Sequence, residues 1–305
     1  MTALMEARDV AVHFGAARAL DGVSLEWRRG EILGVVGESG CGKSTLARAL
    51  LGLVPTAGGS VLAEGAEVSG QASLRALRRT VQMIFQDPYQ TLNPRRRVRD
   101  IIAEPLVVSG APRPEHEARV RRALDEVGLA PERFLDRYPH ELSGGQRQRV
   151  AIATTLVLEP AGIICDEPVS MLDVSVRSQI LHVLLELQRG RELALLFITH
   201  DLSLAWQLCD RIAVMYLGRI VEHGDARDVI ERPAHPYTQA LVDAVPPRKQ
   251  RKALGGELPD AADLPAGCRF HPRCPKRFEP CDQHDPPLLP AAEPAHEAAC
   301  LLLRP

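Results

Sequence analysis

Gly37-Glu38-Ser39-Gly40-Cys41-Gly42-Lys43-Ser44 follows the apolar run Glu31 to Val36 and leads into a helical pattern over Lys43 to Leu53. Strand, glycine loop and helix in that order make a phosphate-binding turn. Glycines let successive backbone N–H groups converge on one anion, and a helix beginning near Lys43 points its positive end the same way. In this reading Lys43 bridges the β- and γ-phosphates of a nucleotide and Ser44 ligates Mg²⁺. Gly37, Ser39, Gly40, Cys41, Gly42 and Thr45 complete the cradle. A cysteine inside the loop also predicts that alkylating Cys41 blocks it unless nucleotide protects the thiol.

Outward from the loop, the runs Val81 to Phe85, Gly162 to Cys165 and Leu193 to Thr199 are short, apolar and without alternation. Strands buried on both faces read this way, so the expectation is a parallel sheet covered by helices. Asp166-Glu167 closes one of these runs and therefore sits at the carboxyl edge of a strand, where α/β sheets bind their ligands. Phosphoryl transfer depends on positioning and charge stabilisation, so Asp166 is expected to hold Mg²⁺ through water and Glu167 to polarise the attacking water. Ser143-Gly144-Gly145-Gln146 opens a helix expected over Gln146 to Leu158. Ser143 caps it, the glycines allow close backbone approach, and a second anion-binding helix end results.

Lys plus Arg is 37 and Asp plus Glu is 39 in a chain of 305 residues, which excludes a globally basic nucleic-acid binder. No apolar run reaches the ~18 residues of a membrane span, and Met1 to Asp9 lacks the layout of a signal peptide. The length implies one large α/β domain with an appendage, or two domains. From Asp87 to Pro139 the chain carries charged helical segments such as Glu115 to Val127, bounded by Pro112, Pro114 and Pro131, which read as an inserted helical subdomain. Beyond Pro246-Pro247 it turns proline-rich, placing a boundary between Ala234 and Pro247.

Leu142 to Arg149, LSGGQRQR, together with the phosphate loop and Asp166-Glu167, resembles the signature set of the ABC ATPases. The resemblance implies an α/β fold: a P-loop nucleotide-binding domain with a RecA-like parallel sheet core, an antiparallel β subdomain and an inserted helical subdomain at about 87–160. It also implies roles for further residues. Gln86 matches the glutamine that senses Mg²⁺ and the γ-phosphate, His200 the switch histidine, and Ser170 to Asp173 the loop carrying Asp173. Phe14 stands where an aromatic stacks on adenine. In this family ATP lies between the Gly37 loop of one subunit and the Ser143, Gly144, Gly145 and Gln146 segment of another. Met171 replaces a common alanine, and Thr154-Thr155 replace Arg-Ala; neither change removes a ligand or the base.

Gln86 to Pro94, Tyr138 to Glu141, Asp166 to Asp173, Met215 to Gly218 and His235 to Thr238 together resemble the ATPase subunits of bacterial oligopeptide and dipeptide importers. That implies ATP and Mg²⁺ as ligands, a second and related ATPase subunit forming a heterodimer, two membrane permeases bordering Asp87 to Arg97, and an extracytoplasmic substrate-binding protein. The place implied is the cytoplasmic face of the inner membrane. Related systems import nickel or glycoconjugates. A soluble ABC ATPase acting on nucleic acid or ribosomes is the alternative from another class, disfavoured by the absence of a coiled-coil insertion or a second cassette.

Cys268, Cys274, Cys281 and Cys300 crowd a proline-rich tail with little apolar material of its own, so something must offset the entropy of ordering it. Four thiolates suit a [4Fe-4S] cluster or tetrahedral Zn²⁺. The absence of any Cys-x2-Cys pair weakens a zinc ribbon. Gly267 to Pro275 resembles the C-terminal extension of the same importer ATPases, where four cysteines hold a [4Fe-4S] cluster, and this divides the chain into 1–235 and 236–305. His271, His284 and His296 read as solvated loop residues.

Overall fold

The structure, a computed structural model, describes residues 2–87, 91–245, 258–291, 293 and 295–303. Two compact units emerge: one comprises residues 69–195, the other residues 2–68 together with the chain from Leu196 onward. Pro88, Tyr89 and Gln90, which belong to the importer resemblance, and the Pro246-Pro247 boundary lie outside the described residues.

In the unit that contains the amino terminus, β1 (Ala3–Phe14) and β2 (Ala17–Arg28) form an antiparallel hairpin. With β4 (Gly58–Ala63) and β5 (Ala66–Glu67) it makes a sheet of order β2-β1-β4-β5. Between β2 and β4 the chain forms β3 (Ile32–Val36), all five residues buried, and the helix Lys43–Leu50, which packs on β1 and β2. β3 pairs in parallel with β9 (Arg211–Tyr216), Leu33 opposite Arg211 and Val36 opposite Val214. β9 turns through Leu217-Gly218 into β10 (Arg219–Asp225), its antiparallel neighbour. The tail then returns as β11 (Leu289–Pro290) and β12 (Glu297–Ala298), with Glu222 opposite Ala298 and His223 opposite Glu297.

The other unit begins with the helix Gly70–Thr80, which runs directly into β6 (Val81–Ile84). β6 lies parallel to β7 (Gly162–Asp166), pairing from Val81 opposite Gly162 to Ile84 opposite Cys165. Among the described residues between them, the helices Val98–Ser109, Arg113–Glu126, Pro131–Phe134 and Gly144–Leu156 pack together. The buried residues of the first, Val98, Ile101, Ile102 and Leu106, form the i, i+3, i+4 stripe of an amphipathic helix. Burying each is worth about 1.5–3 kcal/mol. Gly110 ends that helix in the left-handed conformation, and prolines occupy the first turns of the next two. β8 (Ala194–Thr199) is buried throughout, as the unbroken apolar run requires. Among the described residues no helix is long and apolar enough to cross a membrane.

Candidate active site

β3 delivers its chain directly into the phosphate loop, and the loop's shape depends on glycine at two places. At Gly37 (φ 155°) an added Cβ would lie 2.3 Å from the Met215 carbonyl oxygen, and at Gly42 (φ 110°) it would lie 2.5 Å from that of Ala19. Gly42 is the N-cap of the Lys43–Leu50 helix, and no side chain caps that helix end. The buried Lys43 ammonium fills the loop, donating to the carbonyls of Gly37 and Glu38, both at 2.8 Å. Ser39 and Gly40 are exposed at the loop tip, and Ser44 and Thr45 follow in the first helical turn, half-buried. Phe14, at the end of β1, is exposed, as is His200 beyond β8. His200 is flanked by Thr199, whose hydroxyl accepts the Asp201 N–H at 3.0 Å, and by Asp201, which caps the helix Leu202–Leu208.

The alkylation expected to block the loop meets a buried thiol at Cys41. It is only 1 % exposed, and burial pushes its pKa up against the opposing pull of Lys43. Alkylation needs an accessible thiolate, so the loop must open before Cys41 reacts.

In the other unit Asp166 ends β7 buried, and Glu167 follows with φ 46°, a left-handed backbone that is strained for glutamate. The Gln86 amide donates to the Glu167 carboxylate at 3.0 Å, so these two residues are brought together although 81 positions separate them. Asp173 is the N-cap residue of the helix Val174–Arg191, without a side-chain cap bond. Ser143 and Gln146 form a reciprocal capping box: the Gln146 N–H donates to Ser143 Oγ at 3.3 Å, and the Ser143 N–H donates to Gln146 Oε1 at 3.0 Å. The helix consequently starts at Gly144, two residues earlier than expected. Gly145 is required by packing, because a Cβ there would meet Val176 Cγ1 at 2.6 Å.

Cys268, Cys274, Cys281 and Cys300 line one small cavity of about 20 Å³ with His235, Phe270 and His271. None is in a disulfide, and burial raises the thiols of Cys268, Cys274 and Cys300, that of Cys268 to about 11. Among the described residues no three Cys, His, Asp or Glu side chains gather closely enough to hold a single metal ion. His296 corrects the sequence reading: far from solvated, it is 1 % exposed with Nε2 2.7 Å from the Glu222 carboxylate. Glu222 also accepts the N–H groups of Ala234 and His235, both at 2.8 Å. The His235 ring, its pKa pushed down to about 4 by burial, is a neutral acceptor for the Tyr237 N–H and so caps the helix Pro236–Asp243. Sequence reasoning missed Tyr237 and Arg273, both of which bond Glu38 in the phosphate loop. Both lie in segments that carry the importer resemblance, but nothing local ties either one to Glu38.

A buried loop lysine, a strand-end carboxylate pair and a separately capped glycine helix end define a nucleotide hydrolase of the ABC class. Comparison with known proteins agrees: residues 20–170 match the ABC transporter family, and residues 221–281 match the oligopeptide/dipeptide transporter C-terminal region. The oligopeptide transport ATP-binding protein OppF of Escherichia coli K12 is 45 % identical over 326 residues, 99 % of this chain and 97 % of that one. The di/tripeptide transport ATP-binding protein DppF of Pseudomonas aeruginosa is 44 % identical, covering 94 % of each. Among solved structures, cbiO1 of Clostridium perfringens, part of the ABC transporter complex cbiONQ, superposes with a TM-score of 0.69 at 30 % identity, over 76 % of this chain and 92 % of that one. The chain belongs to the ATP-binding subunits of ABC transporters, in their oligopeptide/dipeptide branch, and is an ATPase.

Proposed function

We propose that this ATPase powers import of di- and oligopeptides through two membrane permeases, paired with a second, related ATPase subunit on the cytoplasmic face of the inner membrane. An extracytoplasmic binding protein delivers the substrate. The observation that carries this reading is the likeness, along nearly the whole chain, to proteins named for peptide import and oligopeptide transport. The division into an ATPase domain over 1–235 and an extension over 236–305 belongs to the same reading.

Each residue then has a task. The phosphate-loop N–H groups and Lys43 hold the β- and γ-phosphates, and Phe14 stacks on the adenine. Ser44, Asp166 and Gln86 offer the oxygen donors that Mg²⁺ prefers. Glu167 accepts a proton from the attacking water, Gln86 orients that carboxylate, and His200 and Asp173 complete the surroundings of the γ-phosphate. Ser143, Gly144, Gly145 and Gln146 serve the partner's ATP, so closure of the pair turns the permeases and hydrolysis reopens it.

The extension would hold a [4Fe-4S] cluster through Cys268, Cys274, Cys281 and Cys300. Zinc would need four sulfurs about 2.3 Å from one centre. What supports a shared ligand is that all four cysteines line one cavity. Its role is structural, because ATP hydrolysis transfers no electrons. Equal iron and acid-labile sulfide in anaerobically prepared protein is the expected analysis; zinc alone refutes it.

The decisive functional experiment uses the chain reconstituted with its permeases. Glu167→Gln is expected to retain MgATP and to lose ATP-driven peptide uptake by about 100-fold or more. Uptake at the parent rate removes Glu167 from the chemistry.

A further inference from the structure

One phosphate-loop residue is held both from within its loop and from far along the chain. The Glu38 N–H donates to the Tyr237 hydroxyl oxygen at 2.9 Å, its carbonyl accepts from Lys43 Nζ at 2.8 Å, and its carboxylate takes both terminal nitrogens of Arg273, at 2.7 and 3.0 Å. Tyr237 is fully buried, and the Arg273 side chain is 6 % exposed. The two gripping residues come from the helix Pro236–Asp243 and the single turn His271–Arg273, so two separate stretches of the C-terminal region converge on one loop position. They are braced in turn by an aromatic cluster. The rings of Tyr216 and Tyr237 lie 4.7 Å apart, Phe270 stands 5.3 and 5.4 Å from them, and the Arg273 guanidinium sits 5.8 Å above Tyr216.

Glu38 is the one acidic residue between Gly37 and Ser44. A carboxylate inside a loop built to receive a polyphosphate opposes its own ligand unless a cation neutralises it. A bidentate guanidinium does so, and it also fixes the direction of the side chain. The loop must in addition keep its N–H groups convergent, and the Tyr237 oxygen holds the first peptide after Gly37 in place.

We infer that Arg273 and Tyr237 are positioning residues for ATP binding: the C-terminal region neutralises and orients Glu38 and thereby sets the affinity of the phosphate loop in its own chain. The inference rests on the ATP-binding reading of that loop. It makes the tail part of the nucleotide site through charge, which an inert attachment would not do.

MgATP titration of the full chain tests this, with thermal melts verifying that each variant folds. Arg273→Ala is expected to weaken MgATP about tenfold. The double variant Glu38→Gln/Arg273→Ala should recover to within about threefold of the parent, because the opposing charge has gone. A tether without electrostatic function predicts the opposite, the double variant being as weak as Arg273→Ala, and that result overturns the inference. Should Arg273→Ala fail to fold, Tyr237→Phe carries the test: it keeps the ring packing, removes only the oxygen facing the Glu38 N–H, and is expected to weaken MgATP about threefold. Parent-like affinity in Tyr237→Phe then overturns the inference. A parent chain that does not bind MgATP at all sinks both this inference and the nucleotide reading beneath it.

Discussion

Two helix ends in this molecule are assigned to phosphate, and they are built by opposite means. The helix Gly144–Leu156 satisfies its own first turn through the Ser143–Gln146 box, whereas the helix Lys43–Leu50 has a glycine at its N-cap and no capping side chain. Self-capping makes the first a folded element in its own right. The second depends on the surrounding loop, whose curvature only glycine allows and whose interior Lys43 fills. One end is finished by its own sequence, and the other by residues brought to it.

Lys43→Ala is the largest break in that contrast. It removes the loop's internal cation together with a phosphate ligand, and ATP hydrolysis is expected to fall about 100-fold or more. A steady-state assay in which the variant keeps parent activity would detach Lys43 from the site. Gly42→Ala comes next: its Cβ meets the Ala19 carbonyl and its φ disfavours any side chain, so a loss of about 2–4 kcal/mol is expected in a denaturant titration. A variant as stable as the parent would mean the loop relaxes cheaply. The mildest is Ser143→Ala, where losing the cap costs about 1 kcal/mol, or about 2–4 °C in melting temperature. This chain's own affinity for MgATP should stay unchanged. In the assembled pair the hydrolysis lost should be that of the partner's site, and loss at the mutated chain's own nucleotide reverses the assignment of halves.

What could be read from the sequence follows the same division. β3, β7 and β8 are unbroken apolar runs because both of their faces are buried, so Gly37 and Asp166-Glu167 were placed at strand ends by local pattern alone. Pro112 and Pro114 marked the helix start near Arg113 for the same local reason, whereas Pro131, read as a bound of that segment, opens a further short helix. Glu38 shows where locality stops, since its partners Tyr237 and Arg273 lie 199 and 235 residues away. The burial of Cys41 could not be read from its place in the motif, because motif membership says nothing about burial. In the tail, the shortage of apolar residues together with four cysteines pointed to a bound metal group as a source of order. The structure adds a docked Phe270 and a buried His296–Glu222 pair, which depend on surfaces built by the earlier chain.

The short strand β12 has a consequence of another kind. Its pairing with β10, extended by the Ala299 N–H donating to Val221, covers backbone groups that would otherwise form an open sheet edge. Open edges recruit other strands, which is how folded domains begin to aggregate. A chain shortened to the cassette alone would expose that edge beside Glu222, stripped of His296. Trimming this protein for biochemical convenience is therefore expected to yield a sticky product, whatever becomes of its catalysis.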